Sequence, residues 1–161
     1  MFRNIMNDLA TWYETGQEKI AVVRGGKFVG KTWAVTDFAM GFFKDHIIVD
    51  MNKQTGFAAY AAKERRPEKL HAKLTTSLDK YDFKDKLLIF DNAENCVGLL
   101  QNLVEYAKYN TECRVCVVGT ICGPMPGEEE CRDDICVYEL MPMSFDEFLK
   151  AGKGRKLCAF I

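Results

Sequence analysis

At 161 residues, 48% hydrophobic and 28% charged, the chain has the size and composition of one globular domain with a real core. This balance excludes a disordered chain. A net charge of -1 gives no global pull towards nucleic acid, and no apolar run approaches the ~18 residues that a bilayer span needs.

The first stretch, MFRNIMNDLATWYE, has no continuous apolar segment and no small-residue cleavage site, so it is not a signal peptide. The expected compartment is the cytoplasm. Phe2, Ile5, Met6, Leu9, Trp12 and Tyr13 recur at helical spacing, which predicts an amphipathic helix within residues 1–17 that packs on a core. TGQEK breaks that pattern, and KIAVVR follows as a short apolar strand. After a glycine-rich loop, Val35, Phe38, Ala39 and Phe42 form one face of a helix over 31–43. HIIVDM is a second strand. Residues 57–74 read as helix interrupted at Pro67, with the charges of KERRPEK on a solvated face.

KLLIFD is a third strand, and Val97, Leu99, Leu100, Leu103, Val104 and Ala107 predict a helix over 95–109. RVCVVGT is a fourth strand, GPMPGEEECRDD an acidic, turn-rich loop, and ICVYEL a fifth strand. SFDEFL opens a last helix, with Ser144 as N-cap and Glu147 at the capping-box position. Strands alternate with helices, and several strands are apolar throughout, as happens when both sheet faces are covered. The fold class is therefore α/β: a single domain over 1–161, in three layers, with a mostly parallel five-stranded sheet.

The 7 cysteines are an odd number. Cys113 and Cys116 have C-x-x-C spacing, but they lie in a strand, where positions three apart face opposite ways. The histidines, His46 and His71, are far from them in sequence. Buried free thiols of a reducing compartment explain the spacing better than a zinc site.

Gly25-Gly26-Lys27-Phe28-Val29-Gly30-Lys31-Thr32 matches G-x-x-x-x-G-K-[ST] in full, between an apolar strand and an amphipathic helix. That context points to a P-loop rather than an ordinary glycine turn. Gly25 and Gly30 let successive N–H groups turn towards one anion, and the helix N-terminus adds its dipole. Lys31 would meet the β- and γ-phosphates, and the Thr32 hydroxyl suits Mg²⁺. Gly26, Lys27, Phe28 and Val29 fill the free positions, and Trp33 closes the candidate ATP-binding stretch.

Asp91 ends the apolar run LLIF, at the strand edge where α/β sheets bind ligands, and is the candidate Mg²⁺ acid. The following position is Asn92. An amide accepts no proton, and a missing general base costs ~10²–10⁴ in rate. Glu94, two residues on, is the candidate stand-in for that base, of a direction that spacing does not give. Thr120 ends another apolar strand, either as a strand-end cap or as a polar contact to the γ-phosphate or the attacking water.

These segments resemble a bacterial and archaeal family of AAA-like P-loop ATPases, whose members carry a C-terminal nuclease-like domain. The likeness rests on the helix ending in Trp12, on VRGGKFVGKTW, HIIVDM, LLIFDNAE and CVVGT, and above all on YELMPMSFDEFLKAG. It implies phosphate-loop roles for Gly25, Gly30, Lys31 and Thr32, a Walker B role for Asp91 and a sensor-like role for Thr120. It also implies that the Thr120 strand lies between the P-loop strand and the Asp91 strand. The chain departs from the family at Asn92, where the family has Glu. Arg132 is the sole basic residue offered as an arginine finger, in poor register. Residues 144–161 read as the start of a C-terminal region that is cut short.

The expected function is Mg²⁺-dependent ATP binding with weak hydrolysis. The resemblance implies ATP over GTP, and MNKQ at 51–54 has Gln where a guanine-reading motif needs Asp. The alternatives are a nucleotide-gated interaction module, read by a protein partner or a second copy, and a non-hydrolysing remnant of a larger ATPase.

Overall fold

The structure, a computed structural model, describes residues 3–80 and 82–151. Helix α1 (Ile5–Thr15) leads into β1 (Ile20–Gly25), α2 (Lys31–Phe42) and β2 (Asp45–Asp50). Then come α3 (Thr55–Lys63), α4 (Pro67–Leu78), β3 (Lys86–Asp91), α5 (Leu99–Tyr109), β4 (Arg114–Thr120), β5 (Ile135–Glu139) and α6 (Phe145–Ala151). The strands form a 5-stranded sheet in the order β2-β3-β4-β1-β5, and every pair is parallel.

Alternation along each strand sorts the core onto two faces. Ile20, Val22, Leu88, Phe90, Val115 and Val117 face α3, α4 and α5. Ala21, Val23, Leu87, Ile89, Cys116 and Val118 face α1 and α2. Burying each large aliphatic or aromatic side chain is worth about 1.5–3 kcal/mol. Such covering on both sides is why β1, β3 and β4 read as unbroken apolar runs. Cys113 packs in one core cluster and Cys116 in the other, so the C-x-x-C spacing does split across the sheet. Burial pushes the Cys113 thiol up to about 12.

The order of strands sets the site. β4 lies between β1 and β3, with Gly25 opposite Thr120 and Phe90 opposite Val117. The ends of the glycine-loop strand, the Thr120 strand and the Asp91 strand therefore adjoin. On the far side of β3, Asp50 of β2 stands opposite Asp91.

Several boundaries depart from the expectation. α5 begins at Leu99, not 95, and Val97 is 73% exposed. Gly98 has φ 90, and a Cβ there would stand 2.5 Å from the Ala62 carbonyl oxygen, so the chain turns at this point instead of coiling. The interrupted helix over 57–74 is two helices, with Pro67 at the first position of α4, where its missing N–H costs nothing. In the linker between them Glu64 pairs with Arg66 at 2.8 Å, and hydrogen bonds from Arg66 hold the Glu64 carboxyl down to about 2. Phe42 is 37% exposed at the end of α2 and packs edge-on against Tyr13. Phe2 lies outside the described residues, as does the predicted region beyond 151. The capping box at α6 forms: the Ser144 N–H donates to Glu147 Oε2 at 3.0 Å, and the Glu147 N–H donates to Ser144 Oγ at 3.2 Å.

Candidate functional site

β1 ends at Gly25 because nothing larger fits there. An added Cβ would collide with the Leu140 carbonyl, which lies over the strand end. The chain then turns through Phe28 (φ 63) and Gly30 (φ 88) into α2. Positive φ values in a loop that opens a helix turn backbone N–H groups towards a common point, and the dipole of α2 reinforces it.

Lys31, the first residue of α2, is only 6% exposed, and its Nζ donates to the Gly26 carbonyl at 2.6 Å. Burial lowers its pKa, while the charges of Asp91 and Glu94 pull it part of the way back. The Thr32 hydroxyl donates to Asp91 Oδ2 at 2.7 Å, and Asp91 Oδ1 accepts the Asn92 N–H at 2.9 Å. A hydroxyl and a carboxylate in contact are hard oxygen donors, a set that fits Mg²⁺.

Lys31, Thr32, Asp91, Asn92 and Thr120 line one cleft of about 530 Å³. Lys27, Phe28, Gly30 and Trp33 line it too. Gly25, Gly26 and Val29 contribute backbone instead: Gly26 through its bond to Lys31, and Val29 through its carbonyl, which accepts from Arg3 Nη1 at 3.2 Å. A neighbouring cleft of about 460 Å³ shares Lys27, Phe28, Gly30 and Trp33 and adds Arg3, Val29, Pro142 and Met143.

Asn92 is held away from a flexible role. Its backbone is left-handed, at φ 56, which Asn tolerates better than most residues. Its amide donates to Asp50 Oδ1 at 2.9 Å. Burial raises the Asp50 pKa, but bonds from Asn92 and from the Asn52 N–H outweigh it, and the net shift is downward.

Asn52 and Glu94 also line the cleft: Glu94 was expected only as a stand-in for the missing base, and Asn52 stood outside the expected site residues. Glu94 Oε2 accepts the Thr120 N–H at 3.1 Å. Its closeness to Asp91 was the available signal. For Asn52 the signal was its place directly after the second strand. Arg132 does not line the cleft: it is exposed and pairs with Glu129 at 3.1 Å. The basic residue that does reach the glycine loop from outside is Arg3, which is 4% exposed.

The family model described as an AAA domain matches residues 17–149. The chain belongs to this AAA domain family. No curated protein matches it in sequence. Among solved structures, PCH-2 of C. elegans is similar at a TM-score of 0.54 and 11% identity, over 86% of this chain and 42% of that one. The Pif1 helicase of Candida albicans is similar at a TM-score of 0.52 and 15% identity, over 96% of this chain and 43% of that one. The chain thus spans less than half of either structure, and at such identities the likeness speaks for the fold alone. The parallel sheet, the flanking helices and the family together make this a nucleotide-binding domain of the P-loop ATPase type. Among the described residues, no helix is long and apolar enough to cross a membrane.

Proposed function

We propose that this AAA domain binds ATP with Mg²⁺ and hydrolyses it slowly. The observation that carries the reading is the contact of Thr32 Oγ1 with Asp91 Oδ2 at 2.7 Å, beside the buried Lys31. Bound there, Mg²⁺ would neutralise charge on the β- and γ-phosphates. The N–H groups of residues 25–33 would cradle the phosphates, and Lys31 would exchange the Gly26 carbonyl for phosphate oxygens. Thr120 would face the γ-phosphate. The second cleft, with Trp33, Val29, Pro142 and Met143, offers apolar surface for the base. Asn92, an amide already engaged by Asp50, supplies no base at the position directly after Asp91, which is the ground for expecting turnover below that of a site with Glu there.

Calorimetric titration with ATP, with and without Mg²⁺, tests the reading. Micromolar, Mg²⁺-dependent binding is expected. A folded chain that takes up no ATP would rule it out.

One observation favours a nucleotide-gated interaction module beside this reading. Phe28, on the phosphate loop itself, is 91% exposed. Light scattering with and without ATP would register a second copy docking there.

A further inference from the structure

We infer that Glu94 is the carboxylate that orients and deprotonates the attacking water in this AAA domain. The assignment rests on the ATP-binding reading above and adds a catalytic residue to it.

Position 92 does not supply the base. Its side chain is an amide, spent on Asp50 Oδ1 at 2.9 Å. Glu94 has the chemistry that position 92 lacks, and it lines the same cleft as Lys31, Thr32, Asp91 and Thr120. The loop is built to hold it there. The Ala93 N–H donates to the Val118 carbonyl at 3.0 Å, extending the contact between β3 and β4 beyond Asp91. Ala93 is 1% exposed, so it anchors the turn in the core. The Cys96 N–H then donates to the Ala93 carbonyl at 3.1 Å and closes the turn.

Glu94 is also oriented. Its Oε2 accepts the Thr120 N–H at 3.1 Å, while Oε1 takes no hydrogen bond among the described residues. A carboxylate fixed through one oxygen, with the other available, is the arrangement a general base needs. Its neighbour Thr120 offers a hydroxyl at the same strand end, a second polar group for the same water.

The step balances as a hydrolysis. The water oxygen forms a bond to the γ-phosphorus as the bond from that phosphorus to the bridging oxygen breaks. The electron pair of the broken bond leaves on ADP. The water proton passes to Glu94 Oε1 and from there to the released phosphate. Lys31 stabilises the charge on the phosphoryl oxygens.

A side chain that merely capped β4 would affect stability and leave the transition state alone. Glu94→Gln separates the two, since its amide oxygen can still accept the Thr120 N–H but takes no proton. The expected result is turnover lower by about 10²-fold with ATP affinity unchanged in calorimetry. Affinity for ADP with tetrafluoroaluminate, which mimics the transferring phosphoryl group, falls at least tenfold. Unchanged turnover and unchanged analogue affinity would overturn the assignment. So would parallel losses of ATP affinity and turnover, which mark a binding or structural residue. A wild-type chain that binds ATP without turning it over overturns the role of Glu94 and leaves ATP binding standing. A wild-type chain that binds no ATP takes both readings down.

Discussion

Arg3 and Glu147 meet at 3.5 Å with side chains only 5% and 7% exposed. The pair joins parts of the chain that share no strand. Arg3 Nη1 donates to the Val29 carbonyl in the glycine loop at 3.2 Å, and Nη2 donates to the Met141 carbonyl beyond β5 at 2.8 Å. Glu147 Oε1 accepts the Asn4 N–H at 2.8 Å, and its Oε2 closes the α6 capping box. One ion pair therefore ties the phosphate loop, the start of α1 and α6 together. Glu147→Ala leaves a buried guanidinium without its counter-charge, and the expected cost is about 3–5 kcal/mol in urea unfolding. Replacing Arg3 and Glu147 together by apolar residues should cost less than the sum of the single changes.

The same carboxylate sets a pH dependence. Hydrogen bonds from the Asn4 and Ser144 N–H groups, with the nearby Arg3, hold the Glu147 pKa below its ordinary value against the opposing effect of burial. A folded pKa below the unfolded one stabilises the fold above the unfolded value of about 4.3, and this contribution is lost as pH falls through the folded value. Wild type should therefore lose stability on acidification more steeply than Glu147→Gln. Unfolding midpoints taken from pH 7 down to pH 3 measure the difference, and parallel curves would refute it.

What the sequence revealed and what it hid follow from the range of the forces involved. Strands β1, β3 and β4 were legible because both faces are buried and each residue must be apolar. The phosphate loop was legible because its backbone demands lie within eight neighbouring positions. The strand order came only from the family resemblance, since no local rule says that β4 enters between β1 and β3. The start of α5 was misjudged because Val97 falls in phase with Leu100 and Val104, while Gly98 alone, pressed on the Ala62 carbonyl, ends the periodicity. The direction of Glu94 depends on a turn anchored by Val118, far along the chain, and Arg3 was unreadable without knowledge of α6.

Asn92→Glu should not restore a family-like site. Glu at this position would bring a carboxylate to Asp50, where the amide now donates, in a left-handed backbone that suits Asn better. Like charges and strain together should cost about 1–3 kcal/mol. Adding Asp50→Asn should recover most of that loss. Thermal unfolding of the single and double variants measures both effects, and a single variant as stable as wild type would sink the argument.

The bound state gives a direct test of Lys31 and Asp91. At ATP about 100-fold above Kd, ligand linkage is worth about 2.7 kcal/mol, or roughly 5–10 °C in Tm for a chain of this size. Lys31→Ala should abolish that shift, because it removes the cation that now rests on Gly26. Asp91→Asn should keep a shift with ATP alone and lose the increment that Mg²⁺ adds. Retention of the full shift by Lys31→Ala would mean that the nucleotide binds elsewhere.

The acidic loop after β4 owes its place to Arg24, the residue just before the glycine loop. Arg24 Nη1 donates to Glu128 Oε1 at 2.6 Å and to Oε2 at 2.9 Å, and Oε2 also accepts the Met125 N–H at 2.8 Å. Met125 is buried, with its sulfur where a Gly119 side chain would be, so the loop is pinned at a charge and at an apolar anchor. Bonds to charged groups are worth about 1.5–3 kcal/mol each when partly buried. Glu128→Ala should cost about 2 kcal/mol and speed amide exchange across residues 121–134, while β1, β3 and β4 stay protected. Glu128→Gln retains an acceptor for Met125 but loses the charge facing Arg24, so its exchange should fall between the two. Unaltered exchange in Glu128→Ala would mean that Met125 alone holds the loop, and that Arg24 serves β5 through Glu139, 3.7 Å away.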